Sequence, residues 1–154
     1  MVIRSMHRVQ PVTAQFTVLA ETASLSGLRQ HVRSAMEAER WQSTVIEAVV
    51  LALDEACANL VRHAFHGDAR ESFTVTLQME PDALHLEICD SAAPFNPSEY
   101  LPQDVESYLR RHRAEKSGHG LGIVLMLSLM DEVRYVPAPQ LGGANRLTLT
   151  KRRG

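Results

Sequence analysis

The sequence predicts an α+β two-layer sandwich: a mixed, mostly antiparallel sheet with about three helices on one face. Three observations carry that prediction. The stretch SFTVTLQMEPDALHLEICD alternates apolar and polar residues on either side of a tight EPDA turn, which is a hairpin pattern. Three other stretches place apolar residues at helical spacing. The order β-α-α-β-β-loop-α-β-β contains no repeat and no linker that would divide it, so 154 residues are expected to form one domain over 1–154.

The elements follow in order. AQFTVLAE, 14–21, has the β-branched and aromatic content of a strand. SLSGLRQHVRSAMEAER spaces Leu25, Leu28, Val32, Ala35 and Met36 for a helix, with Ser24 as its N-cap. STVIEAVVLALDEACANLVRHAF, 43–65, is a longer helix opened by Ser43 or Thr44 and closed near Gly67. In the hairpin, Phe73, Val75, Leu77 and Met79 face one way and Leu84, Leu86 and Ile88 return, leaving Asp90 at the strand end. From Ser91 to Gly120 a long loop holds three prolines and an interrupted helix around VESYLRRHRAEK. LGIVLMLSLMDEV is the third helix, and EVRYVPAP and GANRLTLTKR are closing strands joined by a turn at QLGG.

Composition narrows the function classes. The chain is 45% apolar and 22% charged with a formal charge of -2, so no global field favours nucleic acid or anionic lipid. The longest apolar-rich stretch carries Glu47, Asp54 and Glu55, which a membrane span tolerates poorly, and MVIRSMHRVQPVT has no signal-type apolar core. A cytoplasmic location is expected. Cys57 and Cys89 both lie in apolar runs and are expected to be buried, reduced thiols.

Three constellations carry chemistry. Glu55, Asn59 and His63 are four apart, about 40° of rotation per step, and form a polar stripe roughly 12 Å long on the second helix. A carboxylate there can act as a base, and an amide oxygen one turn on can ligate a hard cation such as Mg²⁺; a wet helix face carrying the same residues is the plainer reading. In ICDSAAPFNP, Asp90 directly after a buried strand can accept a hydrogen bond from an exocyclic amine such as that of adenine, or start a turn by bonding its own backbone. In KSGHGLG, Gly118, Gly120 and Gly122 precede an apolar helix, free the backbone for close approach and aim N–H groups at an anion, with Lys116 adding positive charge. The spacing matches neither a Walker A loop nor a Rossmann loop, and a flexible hinge is the alternative.

Together, in order and spacing, the helix stripe, the strand-end Asp with APFNP, the long loop and SGHGLG resemble the GHKL, or Bergerat-fold, ATPases. More narrowly, the chain resembles the anti-sigma-factor serine kinases of bacterial partner switching, over about Gln15 to Arg152. The resemblance implies Glu55 as general base and Asn59 as the Mg²⁺ ligand. It implies Asp90 as acceptor of the adenine amine, with Ala92 and Phe95 beside it. It also implies that Lys116, Ser117, Gly118, His119, Gly120, Leu121 and Gly122 hold the ATP phosphates, and that residues 98–117 form an ATP lid. Its mechanism is transfer of the ATP γ-phosphate to a serine of an anti-anti-sigma, STAS-type, protein, with a sigma factor or equivalent regulator as second partner and a homodimer as the assembly. No direct nucleic-acid or membrane partner is implied.

Two positions depart from the family pattern. Ala92 stands where relatives usually have glycine; if that position needs a positive φ, alanine costs roughly 1 kcal/mol or shifts the turn. Ala144 and Asn145 stand where some relatives have a threonine that helps hold adenine. Ala92 therefore supports a second reading, a nucleotide-dependent interaction regulator of the same fold without kinase activity. A sensor histidine kinase would need a phospho-accepting histidine on a dimerisation hairpin, for which His7 and His31 leave no room. Zinc bound by His63, His66, Cys57 or His119 lacks tight ligand spacing, and RRHR at 110–113 reads as solvated lid.

Overall fold

The computed structural model describes residues 10–94, 121–140 and 143–154. Period-two alternation gives its strands one apolar face: β1 (Val12–Leu19), β2 (Ser72–Met79), β3 (Ala83–Asp90), β4 (Glu132–Val136) and β5 (Asn145–Arg152). Among the described residues they form one sheet in the order β1-β2-β3-β5-β4, with every neighbouring pair antiparallel. The expected mixed sheet thus has no parallel pair here. β3 and β4 run the same way, joined across the helical layer, but β5 inserts between them and restores antiparallel pairing on both sides. That insertion places Asn145, first in β5, directly opposite Asp90, last in β3.

Phe73, Val75, Leu77 and Met79 of β2, Leu84, Leu86 and Ile88 of β3 and Leu149 of β5 are buried against the helices. Helix α1 (Ala23–Ala38) contributes Leu25, Leu28, Val32 and Met36, and α2 (Ser43–Asn59) contributes Ile46, Val49, Val50, Leu53, Ala56 and Cys57. Helix α3 (Leu121–Leu129) adds Ile123, Val124 and Met126. α2 touches both other helices. Arg29–Asp54 at 2.5 Å and Arg33–Glu47 at 3.0 Å also tie α1 to α2, but exposed pairs contribute little against solvent screening. Packing therefore dominates, at roughly 1.5–3 kcal/mol per fully buried large apolar side chain. Phe73→Ala is expected to cost about 3–5 kcal/mol in a denaturant melt; a cost under about 1 kcal/mol would contradict its central place.

Boundaries of β1, α1 and α2 differ from the sequence reading. β1 ends at Leu19 because Glu21 N–H bonds Leu19 O at 2.7 Å and turns the chain. The N-cap of α1 is Thr22, while the Ser24 hydroxyl donates to Glu21 Oε1 at 3.2 Å. The expected helix through Phe65 is α-helical only to Asn59 and continues as a π turn over Leu60–Ala64, closed by Phe65 N to Leu60 O at 3.0 Å. The wider turn delivers Phe65 into the core, its ring 6.4 Å from that of Phe73. Left-handed φ values at His66 (53°) and Gly67 (71°) then reverse the chain, with Gly67 N bonded to Val61 O at 2.8 Å.

The cysteines also divide. Cys57 is fully buried, and burial pushes its thiol pKa well up. Cys89 is only half-buried, with its Sγ 3.4 Å from Glu87 Oε1. Both are free thiols. Among the described residues no helix is long and apolar enough to cross a membrane.

Candidate functional site

The second half of α2 and the ends of β3 and β5 meet over a pocket of about 210 Å³. Helical spacing brings Ala56, Asn59, Leu60 and His63 to one wall. Ile88 and Asp90 of β3 and Leu147 of β5 make the floor, and Met126 of α3 joins them. Apolar walls with a few convergent polar groups are the usual composition of a small-molecule site.

Asp90 is held on one side by the protein. Its Oδ1 accepts the Ala92 N–H at 2.9 Å and the Asn145 Nδ2 at 3.1 Å. The turn-forming and ligand-accepting readings of Asp90 therefore coexist: one oxygen is occupied by the protein, and among the described residues none reaches Oδ2. Burial raises the Asp90 pKa from its ordinary value, and the Asn145 and Ala92 hydrogen bonds oppose that rise.

Asn145 is 1% exposed and satisfied three ways. Beyond Asp90 it donates to Ala92 O at 2.7 Å and accepts from Ala138 N at 2.9 Å. The sequence reading counted Asn145 only as a departure; its role as the brace of Asp90 depends on the β3–β5 register, which is hidden from local pattern because β4 intervenes in sequence. Ala92 lies outside the left-handed φ region, where Arg40 and His66 are the non-glycine cases among the described residues. The strain anticipated for an alanine there does not arise.

Glu55 sits at the far end of the stripe, against the start of α3. A Cβ at Gly122 would lie 3.0 Å from Glu55 Cδ and collide with Oε2, so this carboxylate occupies space that only glycine leaves open. Burial first, and then the neighbouring Asp54 charge, raise the Glu55 pKa, while Arg62 lowers it. Asp54 is itself held by Arg29. A raised carboxylate pKa makes a stronger base, which suits proton acceptance. Gly122→Ala is expected to push Glu55 toward solvent and return its pKa toward the ordinary carboxylate range, read by carboxyl-carbon NMR titration; an unchanged titration would contradict the contact.

The structure thus brings Asn59, His63 and Asp90 to one pocket and Glu55 to Gly122. Leu121 opens α3. Phe95, residues 116–120 and the expected lid at 98–117 lie outside the described residues. Sequence reasoning missed the apolar walls Ile88, Met126 and Leu147, and His66, which also lines the pocket. Among the described residues no three His, Cys, Asp or Glu side chains gather as a metal cage. The Asn59 amide oxygen is a hard ligand suited to Mg²⁺, which takes one or two protein oxygens and completes its shell from phosphate and water.

A family model described as the histidine kinase-like ATPase domain matches residues 18–151. The chain is similar to the serine-protein kinase RsbW of Bacillus subtilis, 34% identical over 90 residues covering 58% of this chain and 56% of that protein. It is also similar to the serine/threonine-protein kinase BtrW of Bordetella bronchiseptica, 31% identical over 112 residues covering 73% of this chain and 74% of that protein. The match thus spans little more than half the length of the Bacillus relative. Among solved structures, the fold is similar to a chain of the SiaB-SiaC complex from Pseudomonas aeruginosa, with a TM-score of 0.64 at 15% identity over 90% of this chain and 89% of that one.

Proposed function

We propose, from the premise that this chain belongs to the histidine kinase-like ATPase family, that it binds ATP and transfers the γ-phosphate to a serine of a protein partner. The observation that carries the reading is Asp90, a braced carboxylate with one oxygen committed to the protein, set in an apolar pocket beside Asn59. The pocket volume falls below the roughly 300–1,000 Å³ of whole-ligand sites and suits one end of a nucleotide, the base. Asp90 accepts the exocyclic amine of adenine. Asn59 offers its side-chain oxygen to Mg²⁺, which when bound with the nucleotide neutralises phosphate charge. The family resemblance supports Leu121 and Gly122 of α3, together with Lys116, Ser117, Gly118, His119 and Gly120, as the residues that hold the phosphates.

In the transfer step the serine hydroxyl oxygen bonds the γ-phosphorus, the bond from that phosphorus to the β–γ bridging oxygen breaks, and ADP leaves. Glu55 takes the serine proton. The kinase names of the relatives support this chemistry, and the family resemblance supports an anti-anti-sigma, STAS-type protein as acceptor, a sigma factor or equivalent regulator as second partner, and a homodimer. The alternative of a nucleotide-dependent regulator without transfer leaned on strain at Ala92, and no such strain is present. Incubation with γ-labelled ATP, Mg²⁺ and a cognate anti-anti-sigma protein tests the proposal: label on a partner serine is expected. Nucleotide binding without label on the partner would favour the regulator.

A further inference from the structure

β1 is an edge of the sheet and lacks the charge, proline or short length that keeps an exposed edge from pairing. Its eight residues, VTAQFTVL, are uncharged, whereas β4 at the opposite edge is five residues long and bears Glu132 and Arg134. Ala20 N bonds Glu71 O at 2.9 Å, in step with the β1–β2 register, and bonded and unbonded positions alternate along an antiparallel pair. The even-numbered residues of β1 therefore turn their backbone groups toward β2. Thr13, Gln15 and Thr17 turn theirs outward, where no strand among the described residues pairs with them.

The stretch VTAQFTV, from Val12 to Val18, reads nearly the same in both directions about Gln15. We propose that a second copy of this chain pairs antiparallel with the β1 edge about a two-fold axis at Gln15, joining the two sheets into one. This gives the homodimer of the proposed function an interface, and it stands on the strand edge, not on the nucleotide. Thr13 then faces Thr17 of the second copy and Gln15 faces its own counterpart, each pair exchanging both N–H···O bonds, so the outward backbone groups of all three residues are satisfied. On the helix side Val12, which is 40% exposed, meets Val18 of the second copy, and the small Ala14 leaves room for Phe16. The incoming Val12 and Ala14 lie along an open groove of about 510 Å³ between β1 and α1, lined by Phe16, Val18, Leu28 and His31. Neighbouring registers that keep the faces matched are poorer. An axis at Phe16 pairs Thr13 with Leu19, whose carbonyl already accepts the Glu21 N–H at 2.7 Å. An axis at Ala14 pairs Thr17 with Pro11, which has no N–H to give.

Gln15 is exposed, so a charge placed there leaves the core untouched. Gln15→Lys or Gln15→Glu, each alone, sets like charges against each other across the axis. The dimer dissociation constant, measured by sedimentation, is expected to rise roughly ten-fold or more in each, and an equal mixture of the two to return within about three-fold of the natural chain. Gln15→Cys in a Cys89→Ser chain is expected to form a disulfide across the axis, because Cα atoms of such a pair lie about 5.5 Å apart, within disulfide reach. A natural chain that sediments as a monomer overturns the proposal. Charged chains that stay dimeric alone, or a mixture that gains nothing over either, overturn the axis at Gln15. Calorimetry of the natural chain with Mg-ATP keeps the two readings apart: a dimer that binds no nucleotide retains this interface and loses the nucleotide site.

Discussion

Glu55→Ala lowers phosphoryl transfer by about 10²–10⁴-fold while leaving Mg-ATP affinity within about three-fold. The base contributes to the transition state, whereas ground-state binding rests on Asp90, Asn59 and the α3 start, so the loss falls on kcat and not on KM. The pH profile should carry the same signature. Glu55 must be ionised to accept the serine proton, and its pKa is raised by burial and by Asp54. The rate should therefore fall as pH drops through a value above the ordinary carboxylate range, and that limb should vanish in Glu55→Ala. Transfer at the parental rate by the alanine chain would remove Glu55 from the mechanism. Parental ATP affinity in the same sample shows that the site is intact.

Asp90→Asn weakens ATP binding by about 10–100-fold, the size of a hydrogen bond to a charged acceptor, yet leaves the fold as stable as the parent or more so. The two effects have opposite signs for one reason. Burial raises the folded pKa of Asp90 above its unfolded value. Its protonated form is therefore favoured by the fold, and stability falls as pH rises from the ordinary aspartate value through the raised one. Above that raised value the full cost of the buried charge is present. Asparagine removes that cost and keeps an oxygen for the Ala92 and Asn145 donors, but it turns an N–H toward the adenine amine. Melts at neutral pH and calorimetry with Mg-ATP measure the pair; equal ATP affinity in the asparagine chain would take Asp90 out of base recognition.

The parts of this fold legible in the sequence are those set by short-range periodicity. Alternation in SFTVTLQM and ALHLEICD gives the hairpin and its buried face, and helical spacing of Leu25, Leu28, Val32 and Met36 gives the packed side of α1. The ends of elements depend on a few local bonds, such as Glu21 N to Leu19 O and the π turn that carries Phe65 into the core, and periodicity is blind to them. In the site, Glu55, Asn59 and Asp90 were visible because each breaks an apolar pattern at a position that a motif explains. Asn145 was not, because its meaning comes from pairing with a residue 55 positions away across an inserted strand. Whether Ala92 needs a positive φ was unreadable for a related cause: its φ depends on how the Asp90 carboxylate folds the following turn, and the residue type alone does not report that.

Calorimetric titration of the natural chain with Mg-ATP, alongside the Asp90→Asn chain, tests the central claim most directly. Saturable one-to-one binding by the natural chain, weakened about 10–100-fold by the substitution, is the predicted result. No binding by a natural chain whose melt shows it folded would contradict the claim that this pocket holds a nucleotide.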